Sequence, residues 1–304
     1  MRRMREALEY AAAWGILKLL GVLPRRWARA CGAGVARLAL LLRPPLRRAG
    51  EINLRLAFPE WSEAQRRRVF RQMVRHLGWM AAEFARFPRY TPQVLQRIVV
   101  YDGLDNFLRA QAQGRGVLVL TGHIGAWELS SFAHAVFGYP MHFLVRPIPN
   151  RRVESLVHRY RCAAGNVAVE KTNAARQIFQ VLRHGGTVGI LADLNTPATD
   201  GVFVDFFGVP ACMTDAVARI ALRSGAPVVP GYIYWDEAQG HYRLRFEPEV
   251  ELVRSGDEEH DVIANTQRFA RILEEVIRRR PEQWLWVHKR WKTRPPGAPP
   301  IYPE

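Results

Sequence analysis

The sequence predicts an α/β fold with a mixed, largely parallel central sheet flanked by helices, preceded by a helical amino-terminal region. Two observations carry that expectation. Short, wholly apolar runs recur along the second half of the chain, as in strands buried on both faces of a sheet. Stretches of helical period fit between them, and this alternation is the pattern of strands joined by helical crossovers. At 304 residues, the chain is long enough to bury a substantial core.

The amino terminus comes first. Arg2, Arg3 and Arg5 precede an apolar run over 7–23, which superficially resembles a secretory leader, and Ala28-Arg29-Ala30 mimics a cleavage site. Against that reading, Glu9 and Lys18 interrupt the run, and Arg25, Arg26 and Arg29 crowd the supposed site. A second apolar stretch over 30–42 is broken by Arg37. Neither is a clean span of about 20 apolar residues. Two amphipathic helices lying on or dipping into a membrane fit better, with a single short span as the rival and a core-packing helix pair as the plain alternative. Residues 1–47 are therefore read as a membrane-associating helical region, closed by Pro44-Pro45.

The main domain is read as 48–294. A helix over about 62–87 opens with Ser62 and Gln65 at capping-box spacing. A second helix over 101–113 ends at Gly114 and Gly116. Val-Leu-Val-Leu at 117–120 is the first buried strand, followed by a polar turn and a helix over 126–136. Further strands are expected at 141–145, 187–191 and 227–234, with helices at 151–164, 173–183 and 215–223 between them. A late strand over 242–248 and a long helix over 261–279 complete the domain. The Pro-rich stretch at 295–304 is expected to be a poorly ordered tail.

Charge narrows the partners. Lys and Arg number 44 against 28 Asp and Glu, a net charge of +16. Such a balance favours nucleic acid, anionic lipid headgroups, phosphorylated substrates or an acidic carrier protein. Arginine on solvated faces accounts for part of the excess. Cys31, Cys162 and Cys212 have no metal-type spacing, so a disulfide framework or zinc ribbon is not expected. His134, His142 and His158 form no His-Glu-x-x-His pattern, and no phosphate-cradling glycine-lysine loop occurs. No metal and no cofactor are called for.

The chemistry-bearing cluster is Thr121-Gly122-His123-Ile124-Gly125-Ala126-Trp127-Glu128, directly after the first buried strand. α/β proteins place active sites at such strand ends. Gly122 and Gly125 let the backbone turn sharply and a ligand approach. His123 is the side chain suited to take a proton near neutral pH, and a carboxylate would orient its ring. Glu128 is the first choice for that acid. On a continuous helix, however, residues five apart diverge by roughly 140°, so a non-helical turn is needed to bring them together. Asp193, at the end of another expected strand, is the rival. Ser130 and Ser131 lack a nucleophile-elbow setting and read as helix-face residues.

The segment Gly122 to Glu128 resembles the bacterial lipid A biosynthesis acyltransferases of lauroyl and myristoyl transferase type, within the glycerolipid and lysophospholipid acyltransferase superfamily, whose first block is His-x4-Asp/Glu. Other blocks recur in order. Phe143-Leu-Val-Arg146-Pro resembles the second, and Ala192-Asp193 with Gly201-Val-Phe-Val-Asp-Phe-Phe-Gly208-Val-Pro210 the third; Ala226-Pro-Val-Val-Pro230 resembles the fourth. Asn53-Leu-x3-Phe-Pro59-Glu60 and the segment from Pro281 to Lys292 resemble its flanking signatures. Many members carry Asp-Gln in the third block, where this chain has Asp193-Leu194-Asn195.

The resemblance implies a glycerolipid acyltransferase-like fold and transfer of a fatty acyl chain from an acyl carrier protein thioester to a hydroxyl of a lipid A precursor or related glycolipid. It places that reaction at the cytoplasmic face of a bacterial inner membrane, with anionic membrane lipids as further partners. It implies His123, Glu128 and Asp193 as catalytic residues, and Arg146, Gly122, Gly125, Asn195, Gly208 and Pro230 as substrate-binding positions. An acyl-CoA-dependent lysophospholipid or other glycolipid acyltransferase is the alternative within the class. From a different class, a basic nucleic-acid-binding protein is the rival, because the segment 284–292 mixes Trp with Lys and Arg.

Overall fold

The computed structural model describes residues 2–170 and 174–303. Helices α1 (Arg2–Val22), α2 (Arg25–Leu41), α3 (Pro44–Ala57) and α4 (Glu63–Ala85) lead the chain. Then come α5 (Pro92–Ile98), β1 (Val99–Asp102), α6 (Leu104–Gln111), β2 (Val117–Thr121), α7 (Trp127–Val136), β3 (Met141–Val145), α8 (Arg151–Arg161) and β4 (Val167–Glu170). After α9 (Ala174–Arg183) and β5 (Thr187–Leu191), a β6 (Gly201–Phe206) and β7 (Val209–Thr214) hairpin stands apart from the main sheet. The chain ends through α10 (Ala216–Ser224), β8 (Val228–Asp236), β9 (His241–Phe246) and α11 (Glu258–Arg279). The Asn173 start expected for the helix before β5 lies outside the described residues.

The main sheet has seven strands in the order β1-β9-β8-β2-β5-β3-β4. Every pairing in it is parallel except β8 with β9. β2 and β5 lie at its centre, and their apolar runs are buried on both faces. Alternate residues of β2 feed two cores. Val117 and Val119 pack with Leu129 and Phe132 of α7, while Leu118 and Leu120 pack with the α10 and α11 side. β9, nearer the edge, alternates buried and half-buried positions, as expected for a strand covered on one face.

Three local expectations are corrected. Pro44 and Pro45 do not close a helix; they begin α3, where the first-turn amides have no intrahelical acceptor and their loss costs nothing. Tyr101 and Asp102 belong to β1, paired with Leu244 and Arg245 of β9, and the helix starts only after Gly103. The tail is anchored at Tyr302, which is buried and whose hydroxyl donates to Asn53 Oδ1 at 2.5 Å. The capping box at Ser62 and Gln65 forms as the spacing predicts.

Helices α1 and α2 do two things at once. α2 packs against α4 through a backbone-to-backbone approach of Gly32 and Gly78. Two of the arginines that crowd the apparent cleavage site are inside this contact: Arg25 and Arg29 reach the buried carboxylate of Glu83 at 2.9 and 2.7 Å. Elsewhere the two helices leave Met4, Leu8, Trp14, Trp27, Leu38 and Leu41 exposed. Among the described residues, no helix is long and apolar enough to cross a membrane.

Candidate active site

β2 and β5 are parallel neighbours in register, with Thr121 opposite Leu191. Each chain then leaves the sheet at its carboxyl end, so the residue two beyond each strand, His123 on one and Asp193 on the other, emerges at the same level. Adjacent strands lie about 4.8 Å apart, which brings the two side chains within reach. Asp193 accepts from the His123 backbone N–H through Oδ2 at 2.8 Å and meets the ring Nδ1 through Oδ1 at 2.9 Å. Its Oδ2 also accepts the Trp284 indole N–H at 2.7 Å.

Gly122 permits this approach, because a Cβ there would stand 3.0 Å from the Asp193 carboxyl carbon. Gly125 turns the chain with φ +60 and lies against the Ile233 carbonyl, where any side chain would collide. The turn is then tied to the carboxy-terminal segment: Gly125 donates to the Gln283 carbonyl at 2.6 Å, and Ile124 forms a bridge with Trp284.

Asp193 is completely buried. Burial raises a carboxyl pKa, but the His123 ring and the Trp284 and His123 N–H donors outweigh it and hold Asp193 below its ordinary value. An ionised carboxylate only accepts hydrogen bonds. In the neutral imidazole the Nδ1 of His123 therefore carries the proton, and the lone pair is on Nε2. This is the tautomer a general base requires.

His123 lines a cleft of about 360 Å³ together with Trp127, Glu128, Arg146 and Arg161. Its walls include Phe143, Leu144, Leu191 and Leu194, so polar groups converge on an otherwise apolar space. Glu128 does not touch His123. It sits in the first turn of α7 and pairs with Arg161 of α8, whose Nε donates to Oε2 at 2.9 Å. Burial would lower Arg161, but Glu128 outweighs it and holds the guanidinium above its ordinary value. Arg146 is exposed at the end of β3 and has no hydrogen-bond or ion-pair partner among the described residues. Ser130 and Ser131 are on α7, facing the cleft without a base beside them.

The other expected substrate-binding positions lie elsewhere. Asn195 is tied to the chain end: its side chain donates to Thr293 Oγ1 at 3.0 Å and its backbone N–H to His288 Nε2 at 3.2 Å. Gly208 is at the tip of the β6–β7 hairpin and Pro230 is buried within β8. The segment 284–292 is not a surface for nucleic acid or for a membrane interface, since Trp284, Trp286, Trp291 and Arg290 are all buried. Asn53 holds it in place, donating to the Trp286 and His288 carbonyls at 2.6 Å each. His288, pulled down to about 4 mainly by burial, stays a neutral acceptor.

A model of the bacterial lipid A biosynthesis acyltransferases matches residues 1–293. The chain belongs to this family. Its reaction is accordingly O-acyl transfer. It is similar to the lipid A biosynthesis palmitoleoyltransferase of Escherichia coli, 29% identical over 92% of this chain and 95% of the relative. The lauroyltransferase of the same organism is 27% identical over 95% and 92%. A phosphatidylinositol mannoside acyltransferase of Mycobacterium tuberculosis is 29% identical over 69% of this chain and 66% of the relative.

For this family member, two site residues escaped the sequence reading. Arg161 gave no block signal, although it lies on the helix that faces Glu128. Trp284 stood in a recognised segment, but only as part of a flanking signature; its indole N–H, which needs an acceptor once buried, was the overlooked signal.

Proposed function

We propose that this cleft moves a fatty acyl chain from an acyl carrier protein thioester to a hydroxyl of a lipid A precursor or related glycolipid, with His123 as general base and no covalent enzyme intermediate. The observation that carries this reading is the hydrogen bond between Asp193 and His123 Nδ1, which leaves Nε2 to face the acceptor. Nε2 removes the hydroxyl proton as the oxygen attacks the thioester carbonyl. Asp193 stabilises the imidazolium that forms. The tetrahedral oxyanion then collapses, the carbon–sulfur bond breaks, and the thiolate takes the proton from Nε2. Ester and thiol are the products, the thioester is a donor substrate, and the scheme asks for no cofactor.

The oxyanion needs donors. The glycine turn is a poor source, because the N–H groups of His123, Ile124 and Gly125 are already bonded. The first turn of α7, which has no side-chain cap and carries Trp127 and Glu128 into the cleft, supplies free N–H groups and a positive helix end. Arg146, unpaired at the cleft mouth, suits a phosphate of the acceptor or of the carrier's prosthetic arm. An acidic carrier matches the net charge of +16, and the exposed apolar residues of α1 and α2 support peripheral attachment at the cytoplasmic face of the inner membrane. The similarity to the mannoside acyltransferase favours a second acceptor class, a different phosphorylated glycolipid handled by the same chemistry.

The test incubates the purified protein with acyl carrier protein thioesters or acyl-CoA and candidate glycolipid acceptors, and weighs the products. His123→Ala is expected to lower kcat by about 1,000-fold, the middle of the range for a positioned base, while vesicle binding persists. Undiminished transfer by that variant would remove the base assignment.

A further inference from the structure

A second cleft, of about 660 Å³, lies between α2, α3 and α4 and shares no lining residue with the catalytic one. Its floor is apolar, made by Leu40, Leu54, Phe70 and Val74, and its walls carry six arginines against two glutamates. Three of those arginines are committed. Arg47 pairs with Glu51, Arg67 with Glu63, and Arg66 donates to the carbonyls of Phe58, Pro59 and Trp61. The remaining three, Arg37, Arg55 and Arg71, are exposed and have no partner among the described residues. Three separate helices thus each bring one free guanidinium to the same opening.

Guanidinium groups gathered at one opening add their fields there and favour an anionic ligand. The surroundings decide which kind of anion. Beside the cleft, Leu38, Leu41, Leu42 and Leu46 are exposed at 56%, 66%, 70% and 43%, a row of large apolar side chains without cover. A soluble phosphate would leave both this row and the apolar floor facing water. A phospholipid would place its phosphate among the arginines and its chains over the leucines.

We infer that this cleft is a binding site for the phosphate headgroup of an anionic bilayer phospholipid, seating the protein on the membrane at a position separate from catalysis. The inference deepens the peripheral-membrane part of the proposed function. Its test reads vesicle binding alone, so its failure is distinguishable from a failure of acyl transfer. A basic side chain held at an anionic bilayer contributes about a fivefold gain in partition, and three together about 100-fold.

The experiment measures co-sedimentation of the full chain with phosphatidylcholine vesicles and with vesicles containing phosphatidylglycerol. Arg37→Gln/Arg55→Gln/Arg71→Gln is expected to weaken partition onto the anionic vesicles by about 100-fold, leave the zwitterionic ones unaffected, and keep the thermal unfolding midpoint. The comparison variant Arg176→Gln/Arg183→Gln/Arg271→Gln removes three exposed arginines of α9 and α11 that have no partner among the described residues and is expected to bind nearly as the parent does. Equal losses in the two variants would overturn the inference, because net charge alone would then explain the binding. It is equally overturned if the cleft variant keeps its anionic vesicle binding and instead loses affinity for acyl carrier protein, or if millimolar inorganic phosphate abolishes vesicle binding by the parent at constant ionic strength.

Discussion

Two carboxylates compete for His123, one lining the cleft and one buried behind the ring, and their settings differ in every respect that matters. Asp193 is fully buried, bonded to His123 by both backbone and ring, and fixed from behind by an indole. Glu128 is partly exposed, five residues from His123 in sequence, and bonded to a guanidinium. The near neighbour in the chain is the distant one in function. Two strand ends in register align side chains more reliably than a spacing of five that begins in a turn and ends in a helix. The geometry separates them: Asp193 orients the His123 ring, and Glu128 holds Arg161 at the cleft wall.

The largest effect separates the two directly. Asp193→Asn keeps the shape but no longer fixes the Nδ1–H tautomer or stabilises imidazolium, and kcat is expected to fall by about 1,000-fold, within the contribution of a positioned base. Glu128→Gln is expected to cost less, about 30-fold in kcat/KM, equivalent to about 2 kcal/mol for a lost charge-assisted hydrogen bond. That loss falls mainly on KM if Arg161 positions substrate. Combining it with Arg161→Met should add little, since the partners act as a unit. Steady-state rates for the three variants check the ranking. A larger kcat loss for Glu128→Gln than for Asp193→Asn would reverse the roles.

The asymmetry also shows what the sequence discloses. β3 and β5 match the predicted runs at 141–145 and 187–191, because strands buried on both faces are written as unbroken apolar residues. β1 was hidden: four residues long, it pairs with β9, more than 140 residues later, so its pairing leaves no local trace. The position of His123 at a strand end was legible for the same reason that β2 was. Its acid was legible only as a choice between Glu128 and Asp193, because the Thr121–Leu191 register that decides between them links residues 70 apart. Asn195, Gly208 and Pro230 were carried by block resemblance alone, and the fold uses them in a chain-end clasp, a hairpin tip and a sheet interior. Mixed Trp, Lys and Arg at 284–292 looks like a surface in one dimension. Asn53, acting from the opposite end of the chain, draws its carbonyls inward and the tryptophans with them.

The smallest effect tests the support behind Asp193. Trp284→Phe retains an aromatic ring in the core but removes the indole N–H from Oδ2. We expect kcat to fall by about fivefold, with KM unchanged, because one hydrogen bond to a charged group is worth about 1.5–3 kcal/mol and only part of it reaches the imidazole. Loss of packing alone would also lower stability, so the deciding readout is its pH dependence. The folded-state pKa of Asp193 is depressed, and the indole is one of the causes. The stability this supplies is fully present above the unfolded aspartate value of about 4 and is lost as pH falls through the folded value. Without the indole the folded value moves up, so the parent's advantage over Trp284→Phe should shrink only as pH drops through the range below about 4. A stability difference that stays constant across that range would make Trp284 a packing residue, and Asp193 would then owe its position to His123 alone.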